Sequence, residues 1–344
     1  MKTLLTFILS CIITFSVNAT VHVVDNNPNN TTAFATIQEA VDAASDNDTI
    51  YIQPSSSLYP NVILTKPLVL FGAGRNPNKQ NHNLCKIDDL RFNTSASGST
   101  IRGLVIKLVQ ILQPNVNNIT ITHCEITRLD IRGDNYFVEN CVLGKQDSNF
   151  EAIKFYISDG PYDNIIIQNN IIAAKIRAMQ GSGSALRNNL ILPNQFHLTA
   201  FHTIELGEFI TVENNIFYGQ SPGNCSSCDF NNNITFQTAQ DALPYGNNTG
   251  INNLIWFENG FVNAPLPVIT FLDDLYSHDI NLDTDAPGLG GGTDGNDIGL
   301  FGGSSPFSMY GEPPIPVVRE FTLENATVPI DGTLQISVNS SSPE

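Results

Sequence analysis

Charge is scarce in this 344-residue chain. Asp, Glu, Lys and Arg together make up 14% of it, against 41% hydrophobic residues. That balance excludes an intrinsically disordered chain, which combines low hydrophobicity with high charge density. Positive charge is scarcer still: 16 Lys and Arg stand against 33 Asp and Glu, a formal net charge of -17. Nucleic acid requires a basic face, so no nucleic-acid partner is expected. Beyond the first residues, no apolar run reaches the roughly 18 needed for a membrane-spanning helix. H-E-x-x-H and G-x-S-x-G are absent, and Gly181-Ser182-Gly183-Ser184-Ala185 fails the last position of the latter. One residue type is in excess. The chain holds 40 Asn, far above ordinary usage and too polar for a plain helical or α/β core.

The chain begins with basic Met1-Lys2, an apolar stretch over 4–17 and the small-residue end Val17-Asn18-Ala19. This reads as a secretory signal peptide over residues 1–19, and implies a secreted or cell-surface protein. Ile8-Leu9-Ser10-Cys11 loosely resembles a lipobox, but Leu9 is bulky and apolar residues continue past Cys11. Five cysteines remain: Cys85, Cys124, Cys141, Cys225 and Cys228. An oxidising compartment permits disulfides, yet five cannot all pair internally. Cys225-Ser226-Ser227-Cys228 has no second C-x-x-C or nearby His to complete a metal site, so a small loop disulfide, or no bond, is expected before zinc or redox chemistry.

A short phrase recurs: apolar, any residue, a polar pair, apolar. It appears as Ile121-Thr122-His123-Cys124-Glu125-Ile126, Val138-Glu139-Asn140-Cys141-Val142 and Ile167-Gln168-Asn169-Asn170-Ile171. It returns as Leu186-Arg187-Asn188-Asn189-Leu190 and Val212-Glu213-Asn214-Asn215-Ile216, and more loosely as Ile251-Asn252-Asn253-Leu254. Gly103 fills the same frame earlier. From Gly103 through His123, Asn140, Asn169, Asn188 and Asn214 the steps are 20, 17, 29, 19 and 26 residues. Steps of that size suit one turn of a strand solenoid, with loops of unequal length on one side. Asn suits the corners because it tolerates the left-handed backbone region and bonds locally. Stacked coils also let Asn side chains bond to one another in ladders. The segments 120–126, 164–172 and 209–217 are short, β-branched and not helical in period, and are expected as strands. Cys124 and Cys141 hold equivalent places on successive coils, about 4.8 Å apart. Parallel Cβ vectors at that spacing favour two stacked buried thiols over a bond.

A solenoid's open end exposes its core. Thr36-Ile37-Gln38-Glu39 is a capping box, and Ile37, Ala40, Val41 and Ala44 form one apolar helical face, which together make a lid. Short strands are expected at 49–53, 62–64 and 68–71. This opening resembles that of secreted right-handed parallel β-helix proteins of the pectate-lyase-like superfamily. The residues that carry the likeness are the stretch from Ala35 to Ala44, Asp48-Thr49-Ile50-Tyr51-Ile52, and the run from Lys66 to Gly74. The Gly-rich run from Ala286 to Gly303 is similar to the closing segment of secreted bacterial members. The resemblance implies an all-β, right-handed parallel β-helix with an N-terminal amphipathic capping helix over residues 20–311. Residues 312–344 read as a Pro-rich linker and a short β tail, with strand-like pieces at 317–323 and 333–338 around an Asp331-Gly332 turn.

The fold implies no single activity. The polygalacturonase signatures and the pectinesterase and pectate-lyase hallmark strings are absent. The expected role is binding of extracellular polysaccharide along the solenoid side. Alternatives are a lyase that cleaves uronate-containing glycans by β-elimination, and a structural or adhesive surface protein. Polyuronate lyases of the superfamily use a Lys or Arg base, so Lys154 and Arg177 are catalytic candidates, with Lys175 and Arg187 as substrate-binding candidates sharing their face. Solvated surface charge explains all four equally simply. Asp294 and Asp297, with Asp283 and Asp285, are candidate calcium ligands, although Asp-Gly turns account for them as well. His197 and His202 would face opposite sides of one strand. Charge is uneven: after the signal segment, 14 bases and 15 acids lie up to Arg187, whereas from Asn188 on there are 18 acids and only Arg319. An anionic ligand should therefore prefer the earlier coils. Exposed aromatics would favour binding, and Tyr136, Phe155, Tyr156, Tyr162, Phe196, Phe201, Phe217 and Tyr218 are candidates for such a row. Lys, Arg and a carboxylate converging in a groove would favour the lyase.

Overall fold

The structure, a computed structural model, describes residues 19–28, 31, 33–76, 83–145, 151–192, 202–238, 241–258, 260–263, 275–309, 311–312, 317–324, 327–328 and 330–341. The signal peptide expected over 1–19 falls, but for Ala19, outside them, as do His197, Phe196 and Phe201.

Two long parallel sheets wind around one axis. The first has ten strands, from Val21–Val24 to Asp229–Asn231, each paired in parallel with the equivalent strand of the next coil. The period-two alternation of these strands sends their middle residues inward. Ile101, Ile121, Val138, Ile167, Leu186, Val212 and Phe230 therefore stack in register and are fully buried. The second sheet has thirteen strands and forks at Glu125–Ile131. The start of that strand pairs with Val142–Leu143 and its end with Glu151–Phe155. A parallel strand must be reached by a crossover, and the right-handed crossover is the one that packs back onto a right-twisted sheet. The chain is a right-handed parallel β-helix.

The open end is covered as the sequence leads one to expect. The helix Ile37–Ala43 begins at Thr36, whose side chain accepts from the Glu39 amide while the Glu39 carboxylate accepts from the Thr36 amide. Ile37, Ala40 and Val41 are buried on the first coil. The segments 120–126, 164–172 and 209–217 are not single strands. Each breaks at a corner residue with positive φ: His123 at 57°, Asn169 at 50° and Asn214 at 56°. A left-handed residue turns the chain from one sheet to the next, so the polar pair marks the corner and not the strand. Gly103, Asn140 and Asn188 turn in the same way, as do Asn232 and Asn252, which extend the series by two coils.

The residue after each corner points inward. Asn170, Asn189, Asn215 and Asn233 are fully buried. Asn170 Nδ2 donates to Asn189 Oδ1 at 3.1 Å, Asn189 to Asn215 at 2.9 Å, Asn215 to Asn233 at 3.0 Å and Asn233 to Asn253 at 3.0 Å. Each Oδ1 also accepts a backbone N–H of the preceding coil. In the earlier coils this column is filled by Cys85, Leu104, Cys124 and Cys141, all fully buried. Cys124 and Cys141 are free thiols, with the Cys124 amide 3.4 Å from Cys141 Sγ. Among the described residues the disulfide is Cys225–Cys228.

One arm of the second sheet is apolar on both faces. Leu143, Ile172 and Phe217 belong to the interior cluster. Val142, Ile171, Leu190, Ile216 and Ile234 belong to a second cluster outside the solenoid, with Ile298, Leu300 and Phe307. The C-terminal segment thus lies as a strap over this arm, running back toward the early coils. The outward-facing corner Asn side chains hold it. Asn232 donates to the Gly291 carbonyl at 2.7 Å, Asn214 to Thr293 Oγ1 at 3.0 Å, Asn169 to Leu300 and Gly302 carbonyls at 2.9 Å, and Asn140 accepts from the Ser308 amide at 2.6 Å. Gly302 is required here, since a Cβ would meet the Asp297 carbonyl at 1.8 Å. Past the strap, Val317–Leu323 and Ile336–Ser341 pair as an antiparallel hairpin.

Candidate functional site

The other arm of the second sheet carries the sequence-derived catalytic candidates. Lys154 and Arg177 are register partners on adjacent coils, as are Asp130 and Lys154, and Arg177 and Glu205. Glu151 joins them, with its oxygens 3.7 Å from Lys154 Nζ and 2.9 Å from Arg177 Nη1. Lys175 pairs with Glu205 at 2.5 Å. At the upstream edge Arg128 pairs with the buried Asp130 at 2.9 Å, and the Tyr156 hydroxyl donates to the same carboxylate at 2.9 Å. Arg132 Cζ and Lys154 Nζ lie 4.7 Å and 5.0 Å from the Tyr156 ring centroid. Lys154, Lys175 and Arg177 therefore do share a face, and a carboxylate converges on two of them. Each of the three is matched by an acid. The hydrogen bond from Arg177 to Glu151 raises its pKa further, the opposite of what a proton-abstracting base needs.

Arg187 is not part of this face. It ends the strand Ala185–Arg187 of the first sheet and pairs there with Glu213 at 2.7 Å. It precedes the Asn188 corner, whereas Lys175 and Arg177 follow the Asn169 corner, so the corner puts them on different sheets. Of the aromatic candidates, Tyr136, Phe155, Tyr162, Phe217 and Tyr218 are buried and form no exposed row.

Asp294 and Asp297 serve the turns of the strap. Asp294 accepts from the Asn296 amide at 3.1 Å and from its side chain at 2.8 Å, which lowers the Asp294 pKa. Asp297 accepts from the Gly290 amide at 2.8 Å. Among the described residues no three His, Cys, Asp or Glu side chains are grouped to hold a metal ion, and no helix is long and apolar enough to cross a membrane.

The site that sequence reasoning missed lies on the early coils. A groove of about 370 Å³ opens over the strands Lys86–Phe92, Val105–Ile111 and Glu125–Ile131. Among the described residues Arg75, Lys86, Lys107 and Lys145 line it, against a single carboxylate, Glu125. Alternation explains two of these positions: Ile87 and Ile106 point inward, so Lys86 and Lys107 point out. Lys107 reaches Asp88 at 3.1 Å on the exposed rim. Arg75 is fully buried. Its guanidinium donates to the Ser308 carbonyl at 2.7 Å and stands 4.5 Å from the Phe307 ring centroid and 3.4 Å from the Tyr276 hydroxyl. The strap therefore holds Arg75 in place at the back of the groove. A long-range contact of more than 200 residues in sequence leaves no local signal, although the charge asymmetry pointed to these coils.

No family model and no curated protein matches this chain. Among solved structures, that of pectate lyase Pel9A is similar over 83% of this chain and 97% of that chain, at 11% identity and a TM-score of 0.41. What the strand order and register establish is a right-handed parallel β-helix whose early coils carry a basic groove and whose forked sheet carries a paired-charge face.

Proposed function

We propose that this chain is a secreted or cell-surface β-helix that binds an extracellular polysaccharide bearing negative charge, held along the solenoid side in the Arg75–Lys86–Lys107–Lys145 groove. One observation carries the reading. In a chain of net charge -17, three Lys side chains with the buried Arg75 behind them line one groove, and Glu125 is the one carboxylate among its described lining residues. A concave wall concentrates the field of such a cluster and steers polyanions to it. The open shape suits a chain-like ligand lying across several coils better than an enclosed small molecule.

The test is retention of the protein on immobilised polygalacturonate, dextran sulfate and uncharged dextran. Retention on the charged polymers alone, lost in Lys86→Ala/Lys107→Ala, supports the reading. Equal passage over all three overturns it and favours a structural role. A second reading, β-elimination of a uronate glycan, draws on the convergence of Lys154, Arg177 and Glu151. It requires ultraviolet absorbance from an unsaturated uronate product that disappears in Lys154→Ala or Arg177→Ala.

A further inference from the structure

The groove already contains an anion of its own. Glu125 Oε2 lies 3.5 Å from Lys145 Nζ and 3.4 Å from the Tyr276 hydroxyl. Tyr276 in turn is 3.4 Å from Arg75 Nη1, and Lys145 Nζ stands 5.6 Å from the centroid of its ring. Burial raises the Tyr276 pKa, so the phenol stays neutral and donates. Lys145, Tyr276 and, behind them, Arg75 are the groups a bound carboxylate or sulfate would seek, and Glu125 sits among them. It is not sealed off: its side chain is 20% exposed, and that of Lys145 12%.

We propose that Glu125 is an internal competitor, a carboxylate that occupies the anion position of the groove and sets its affinity and selectivity. This rests on the reading that the groove takes an anionic glycan. A ligand group entering here must displace Glu125 from Lys145 or lie beside it against like-charge repulsion. Polymers offering one weakly placed charge are turned away. A polymer that also engages Lys86 and Lys107 on the rim gains enough to enter. An ordinary contact residue or a structural acid predicts the opposite sign for its removal, because taking either away weakens binding.

The test is Glu125→Gln, which keeps the size of the side chain and an acceptor for Tyr276 while removing the charge. Affinity for polygalacturonate and for dextran sulfate should rise roughly 3- to 10-fold, with no gain on uncharged dextran. Lys145→Ala should weaken binding, since it leaves the Glu125 carboxylate uncompensated in the groove, and should remove most of the gain in the Glu125→Gln background. Glu125→Ser must give the same gain, and stands in if Gln disturbs folding. Wild-type binding that is unchanged or weaker in both variants overturns this inference alone. No binding of either charged polymer by wild type or variants overturns the groove reading with it. Binding by the variants only supports both.

Discussion

Asn169 and Asn170 are neighbours in the chain and face opposite ways. Asn169 turns out of the solenoid to hold the strap by the Leu300 and Gly302 carbonyls. Asn170 turns in and bonds to Asn189 of the next coil. The recurrent Asn-Asn pair is therefore two devices: an outer hook in a left-handed corner, and an inner hydrogen-bonded column running up the core.

The inner column makes a sharp stability prediction. Asn189→Ala removes the acceptor of the Asn170 amide and side chain, and the donor to the Ile167 carbonyl and Asn215. Buried polar groups left unpaired cost about 1–3 kcal/mol each. Urea denaturation should show a loss of about 3 kcal/mol, well above the few tenths expected for a surface Asn.

The outer hooks should fail differently. Asn169→Gly keeps the positive φ at little strain and deletes two bonds to the strap. Global stability should fall by about 1–2 kcal/mol, while protease cleavage within 291–309 accelerates more than cleavage within the coils. Equal acceleration everywhere would mean that the strap is not a separately opening unit.

His123 predicts a pH dependence. It occupies a corner that Asn fills elsewhere, with its Nδ1 buried and unpartnered. Burial, and the nearby charges of Arg75 and Arg102, push its pKa from 6.5 down to about 4. The folded state keeps the ring neutral where the unfolded chain would protonate it. The stability this contributes is complete above pH 6.5 and is lost as pH falls toward about 4, by roughly 3 kcal/mol in all. His123→Asn should flatten the slope between pH 6.5 and 5, measured by denaturation at several pH values. A slope unchanged in the variant would place its origin elsewhere.

The five described cysteines are all buried and divide by pairing. Cys85, Cys124 and Cys141 are free and fully buried, and burial raises the Cys85 thiol to about 12. Iodoacetamide should leave all three unmodified in the native protein and label them in urea, as read by mass spectrometry. Native labelling of Cys124 or Cys141 would contradict a closed column.

Much of the fold was legible in the sequence, because the features that build it are local. The capping box at Thr36 and Glu39, the corner positions from Gly103 to Asn214, and the stacked thiols Cys124 and Cys141 all write themselves within a few residues. The Asn232 corner carries the same phrase, Phe230-Asn231-Asn232-Asn233-Ile234. The site was less legible. Arg187 lies on the first sheet because it immediately precedes the Asn188 corner, whereas Lys175 and Arg177 lie past the Asn169 corner, and the contacts that hold Arg75 come from Tyr276, Phe307 and Ser308, which are remote from it in sequence. Asp294 and Asp297 accept turn hydrogen bonds, a role the sequence leaves open beside cation binding because turn-forming and cation-binding carboxylates share one composition.

The most direct test of the groove is the salt dependence of polygalacturonate binding, compared between wild type and Lys86→Ala/Lys107→Ala. Binding driven by the cation cluster must weaken steeply with salt through counterion release, and removal of two contributing cations must shallow the slope of log affinity against log salt by about 1 to 2. That shallower slope is the expected result. An unchanged slope, or affinity indifferent to salt, would show that Lys86 and Lys107 do not bind the polymer.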